Sequence, residues 1–297
     1  MGLTVHFSFS APPVTDEQTA LNYIKKLHSF CEDRPFAKVD AIVHLKGKFE
    51  CDYDHSDKDD PHRWMKIQSR ASLNRTQTHD HPDGNDLHWG YSVGSKVHIG
   101  RTVKPIEIIG FTAWPGGGCE TMEIGLVRFP DTISFYDDRY TQLPKYRTLK
   151  TRMGGQWRWG AFCKTQYASE KGLPHFLRCH LLVISVLDKA KELGILKRVS
   201  DEGGYWRNRR LDTLSEKVGS YNAMIGAFSR ALKGIVPTGA EVQSEIENHP
   251  DYKQFTVENL VANFPEMHAA VARTIDLMKK SLRQPARWSV WSMSFAT

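Results

Sequence analysis

Cysteine is scarce in this 297-residue chain: Cys31, Cys51, Cys119, Cys163 and Cys179 form an odd set without a CxxC pair. That spacing excludes a disulfide framework and a zinc knuckle and points to a reduced, cytoplasmic protein. Long apolar runs are missing as well, so nothing reaches the roughly 18–20 residues that cross a bilayer. The opening MGLTVHFSFS has neither the basic start nor the continuous apolar run expected of a secretory signal. His6 stands where a myristoylation motif requires Ser or Thr. Nucleotide-binding signatures are lacking too. The glycine run 116–118 leads into CETMEIGLVRFP, which alternates like a strand, so no helix N-terminus faces a phosphate there. The run reads as a hairpin connection, where glycines supply positive φ.

What is present is ordinary for a globular protein: 40% apolar and 25% charged residues, with a net charge of +6. A mildly basic balance tolerates an anionic partner without demanding one. The length suffices for one large domain or two smaller ones.

Leu3, Val5, Phe7 and Phe9 alternate with polar neighbours, a half-buried strand. Thr15 and Gln18 form a capping-box pattern, and Ala20, Ile24, Leu27 and Cys31 continue at helical spacing. Val39, Ala41, Val43 and Leu45 alternate again, so the chain opens as β-α-β. Further strands are expected at 65–71, 96–99, 105–113, 120–129, 157–167 and 195–199, with a long loop over 130–156. Residues 173–193 form a helix apolar around most of its circumference, and Leu211, Leu214, Val218, Tyr221, Ile225, Phe228 and Leu232 line the seam of another. The expected fold is α+β: a mixed, largely antiparallel sheet with helices mainly on one face and a helical C-terminal region. The domain reading is 1–235, compatible with two ferredoxin-like β-α-β modules over 1–100 and 101–235, plus a helical extension over 236–297.

Chemistry concentrates in two blocks. On strand 157–167, Arg158, Lys164 and Gln166 share one face and Tyr167 lies at its end. Between Arg139 and Ser169 there are seven basic residues and no acidic ones, a run that attracts phosphate or carboxylate groups. In SDEGGYW, Asp201 and Glu202 end a strand ahead of Trp206; adjacent carboxylates serve as acid and base or hold a cation. A crossover 157–167, 173–193, 195–199 makes the two strands parallel and brings their C-terminal ends to one edge. If strand 120–129 runs antiparallel to 157–167, Cys119 reaches that edge too. Asp201, Glu202 and Cys119 are then the catalytic candidates, with Lys164, Gln166, Tyr167, Arg158 and Trp206 binding the ligand. The competing reading makes Cys119 a small buried hydrophobe and Glu120 and Glu123 solvent-facing strand residues.

Two weaker patterns remain. Asp52, Asp54, Asp57 and Asp59 lack the Gly and Glu of a calcium loop, and His79, His81 and His88 lack the spacing of a zinc motif. Segments 139–158 and 206–210 combine cations with aromatics as a nucleic-acid surface does, without an RRM, KH or helix-turn-helix signature.

FCKTQYAS, HFLRCHLLVISVLDKAKELG and DEGGYW together resemble segments of a group of uncharacterised bacterial proteins, over about residues 157–206 and the opening β-α-β. The resemblance implies a soluble bacterial protein and transfers no catalytic residue. The expectation from sequence is a protein that binds an anionic small molecule at the sheet edge. Acid–base catalysis by carboxylates is one form of it; the alternatives are a non-catalytic small-molecule sensor or binding domain, and a nucleic-acid-binding protein using segments 139–158 and 206–210. No cofactor is indicated.

Overall fold

Val5, Phe7 and Phe9 point one way from β1 (Thr4–Ser10) and are all buried, so one face of this strand belongs to the core. The computed structural model describes residues 3–47, 49, 58–78, 89–93, 96–137, 145–233, 247, 249–254 and 256. The acidic and His-rich loops thus lie largely outside the described residues, as do segment 139–144 and nearly all of 236–297. Two compact units form. One comprises Thr4–Thr165 and Arg178–Glu202; the other comprises Leu3, Gln166–Leu177 and the chain from Gly203 onward.

In the first unit, β1 leads into α1 (Glu17–Glu32), then the short strands β2 (Lys38–Val39) and β3 (Val43–Lys46). Helix α2 (Arg63–Gln68) precedes a three-stranded sheet of β4 (Ala71–Thr78), β5 (Trp89–Val93) and β6 (Lys96–Val103). Then come β7 (Glu107–Trp114), β8 (Met122–Arg128), the antiparallel pair β9 (Thr132–Asp137) and β10 (Lys145–Lys150), and β11 (Trp157–Lys164). Helix α3 (Leu173–Glu192) crosses to β12 (Leu196–Asp201). The main sheet runs β12-β1-β11-β8-β7-β2, with β3 also on β7. Every adjacent pair is antiparallel.

The protein is therefore α+β with a mostly antiparallel sheet. Its two crossovers, β1-α1-β2 and β11-α3-β12, interleave in one sheet. β1 lies between β11 and β12, and β8 separates β11 from β7. Helices α1 and α3 are neighbours: Arg178 donates to the Pro35 carbonyl at 2.8 Å, and Lys189 lies over the Phe30 ring at 6.0 Å. His28 of α1 meets the Phe111 ring edge-on at 4.9 Å, so α1 covers the Phe111 side of β7. Met65 of α2 lies against Gly110, one residue earlier and hence on the opposite side.

Several expectations fail locally. Residues 63–68 form α2, not a strand, because Met65 is fully buried against the sheet and Ser69 closes the turn by bonding the Met65 carbonyl. Part of the expected loop 130–156 is the β9–β10 pair, which forms a two-stranded sheet of its own. The cap of α1 is Asp16, whose carboxylate takes the Thr19 N–H at 2.6 Å, while Thr15 turns back to Pro12. β11 ends at Lys164, and Gln166–Lys171 coil into a 3₁₀ turn. Among the described residues no helix is long and apolar enough to cross a membrane.

In the second unit the 3₁₀ turn is followed by the start of α3, then α4 (Tyr205–Asn208) and α5 (Leu211–Lys233). Buried Gln166 accepts from Leu3 N–H at 3.1 Å and donates to Asn222 at 3.3 Å; Asn222 in turn donates to Ser169 at 2.8 Å. Leu214 and Val218 of the expected α5 seam are buried, whereas Leu211 is 45% exposed.

Gly110 and Gly125 face each other across β7 and β8. A Cβ on Gly110 would lie 2.7 Å from the Ile124 carbonyl oxygen, and one on Gly125 would lie 2.9 Å from that of Ile109 and 3.0 Å from the Trp159 ring. Gly110→Ala and Gly125→Ala should each cost about 2 kcal/mol in urea unfolding, the penalty of overpacking against backbone. Gly160→Ala, where a Cβ meets open space, should be nearly neutral.

Candidate active site

The end of β11 and the start of β8 do lie side by side: Glu120 donates its N–H to the Lys164 carbonyl at 2.9 Å, and the Glu120 carboxylate accepts the Lys164 N–H at 3.1 Å. β11 and β12 also run in the same direction, flanking β1. Register then separates the expected site residues. Val5 pairs with both Cys163 and Asp201, so Asp201 shares a row and a face with Cys163 and points away from Lys164. Asp201 is enclosed, its oxygen 3.4 Å from His180, whose other ring nitrogen lies 2.9 Å from the Thr165 hydroxyl. Glu202 closes the strand end by accepting the Thr4 N–H at 2.9 Å. Arg158 lies at the far end of β11, six residues from Lys164 or about 20 Å, and bonds Gln156. Gln166, Tyr167 and Trp206 belong to the other unit. There Arg209 stacks over the Trp206 ring at 4.5 Å.

Cys119 lies near Cys179, whose thiol contacts the Pro115 carbonyl at 3.5 Å. The Cys179 thiol and burial push the Cys119 thiol far above its ordinary pKa. A thiol held protonated in this way is a poor nucleophile.

A different group of residues surrounds an opening. Lys38, Asp40, Pro61, Trp64, Thr112, Trp114, Thr121 and Glu123 line a cleft of about 490 Å³ on the α2 side of the sheet. Its floor follows from register. Asp40 donates its N–H to the Thr112 carbonyl at 2.9 Å, and Thr112 pairs with Glu123, so the three residues stand in a row across neighbouring chain segments. Both indoles are anchored. Trp114 Nε1 donates to the Cys119 carbonyl at 3.1 Å, which gives the glycine-rich hairpin its role, and Trp64 meets Trp159 edge-on at 6.0 Å. Trp159 is itself tied to the Glu123 carbonyl at 3.0 Å.

The two carboxyl groups of this cleft sit in opposite environments. Lys38 at 2.7 Å, together with the Thr112 hydroxyl, holds Asp40 below its usual pKa and keeps it ionised. Glu123 has one carboxyl oxygen buried without a hydrogen-bond partner among the described residues. Burial first, and the charge of Glu120 second, push its pKa up to about 7. The sequence reads Glu123 as a solvent-facing strand residue, and in the structure it stands on the face away from α1. Only α2, which the sequence reads as a strand, turns that face into a partly buried wall.

A second carboxylate cluster behaves differently. Glu17, His44 and Glu107 bring ligand-type atoms within 4.8 Å of one another. Glu107, 1% exposed, accepts from Arg128 at 2.7 and 3.0 Å and contacts His44 at 2.8 Å, while Lys46 lies 2.6 Å from Glu17. Positive side chains already occupy the place a cation would take, so this is an ion-pair network. Removing Arg128 by Arg128→Met should destabilise the fold by about 3 kcal/mol in urea titration, the cost of stranding a buried charge.

No family model, curated protein or solved structure matches the chain.

The folded protein holds the Glu123 proton up to about pH 7, whereas an exposed glutamate releases it near 4.5. The unfolded chain therefore binds fewer protons in this window, and stability falls as pH rises from 4.5 to 7. Glu123→Gln should lack this decline and exceed the wild type above neutral pH by about 2 kcal/mol, scaled down for its partial exposure.

Proposed function

We propose that the cleft between Trp64 and Trp114 binds a small, largely uncharged molecule and acts on it by proton transfer. Glu123 is the donor and Asp40 the acceptor. The observation that carries this reading is the pairing of a protonated and an ionised carboxyl group in one aromatic-walled opening, their environments driving them apart. Such divergence assigns acid and base roles in carboxylate sites. The volume falls within the range of about 300–1,000 Å³ of small-molecule sites. Lys38 is engaged with Asp40, so the cleft offers an anion little free positive charge. This moves the ligand expected at the edge near Lys164 to the face formed by β7, β8 and α2, and replaces Asp201 and Glu202 by Asp40 and Glu123.

A fragment library screened on ¹⁵N-labelled protein should yield compounds that shift the Trp64 and Trp114 indole signals together. Glu123→Gln should bind the same compounds with an altered pH dependence near 7. A library that shifts neither indole rejects the cleft as a binding site. A ¹³C-carboxyl titration placing Glu123 with the exposed carboxylates rejects its role as acid.

A further inference from the structure

Resting on that reading of the cleft, we infer that its substrate is a neutral glycoside, hydrolysed with inversion at the anomeric carbon. The class follows from what the lining supplies. Ester hydrolysis requires donors aimed at a developing oxyanion, and phosphoryl transfer requires cations around the transferred group. Among the described residues the only lysine or arginine in the lining is Lys38, which already salt-bridges Asp40. Acetal hydrolysis requires neither. It calls for a carboxylic acid to protonate a poor leaving group and a carboxylate to activate water opposite it. Glu123 and Asp40 match those two demands. The indoles of Trp64 and Trp114 offer flat apolar surfaces for the C–H face of a sugar ring. Thr121, the Thr112 hydroxyl and the carboxylates offer partners for its hydroxyl groups.

The stereochemical outcome follows from the roles of the two carboxyl groups. Asp40 and Glu123 flank Thr112, two inter-strand steps or about 9–10 Å apart along the sheet. An Asp40 that activates water, as its role of proton acceptor requires, gives a single displacement with inversion, whereas direct attack by its carboxylate on the sugar would give retention. In the single displacement, the Glu123 proton passes to the glycosidic oxygen as its bond to the anomeric carbon breaks. Water forms the new bond from the opposite side and gives its proton to Asp40. The products are an alcohol and a hemiacetal of inverted configuration. Proton exchange with solvent restores both carboxyl groups.

The test uses full-length protein with 4-nitrophenyl pyranosides of both anomeric configurations and with β-1,4- and α-1,4-linked glucose tetrasaccharides. At least one saccharide should shift both indole signals, and Trp114→Ala should weaken its binding about tenfold. Glu123→Gln should abolish cleavage of the tetrasaccharide while sparing much of the 4-nitrophenyl activity, because that leaving group departs without protonation. Asp40→Asn should abolish both. ¹H NMR of the first product should show the inverted anomer. Retention of configuration overturns the assignment of Asp40 as base, and an equal loss on both substrates in Glu123→Gln overturns the acid. Fragments that shift both indoles while no saccharide does reject the glycoside and leave the acid–base cleft standing. No ligand of any kind rejects both.

Discussion

The crossing of Gly110 and Gly125 on β7 and β8 is the constraint on which the rest of the site depends. With no Cβ on either strand, Met65 of α2 and the ring of Trp159 approach the backbone directly. Trp159 then meets Trp64, and α2 is held over one face of the sheet. That placement builds one wall of the cleft and partly buries Glu123, two residues before Gly125 on the same face. The opposite wall comes from Trp114, fixed by the carbonyl of Cys119 in the glycine-rich hairpin. Close packing of two glycines thus leads to a carboxyl group in an unusual environment.

Glu107 and Glu123 show how the environment decides the role of one residue type. They lie on adjacent strands but on opposite faces of the sheet. Glu107 is almost fully buried and surrounded by Arg128, His44 and Lys46, so its charge is matched by neighbours and contributes to the ion-pair network that joins α1, β3, β7 and β8. Among the described residues no cation acts on Glu123; the charge that does is that of Glu120, of the same sign. A carboxyl group without a compensating charge lowers its free energy by keeping its proton. The first arrangement serves stability, and the second is available for chemistry.

Much of the architecture is legible in the residues. Alternation marks β1, β7, β8 and β11 within a few positions, and helical spacing marks α1 and α3. The reading of the glycine run as a connection between antiparallel strands agrees with the β7–β8 pair. The parallel run of β11 and β12 was also open to inference from the crossover, whereas the antiparallel pairing of β8 with β11, which brings Glu120 beside Lys164, entered only as a condition. The face of Asp201 was not legible, because it depends on its pairing through Val5, and a shift of one residue would reverse it. Nor was α2: six residues are too few for a helical period to stand out, and its identity comes from the burial of Met65 and Trp64's contact with Trp159.

The sequence by itself determined the α+β class and the order of the main strands and helices, since these follow from local periodicity. Tertiary structure alone decided which carboxyl groups would be matched and which left bare. Asp40 is 83 positions before Glu123 in the chain, and their relation through Thr112 exists only in the sheet. Burial and charge act through space, over distances that chain order does not encode.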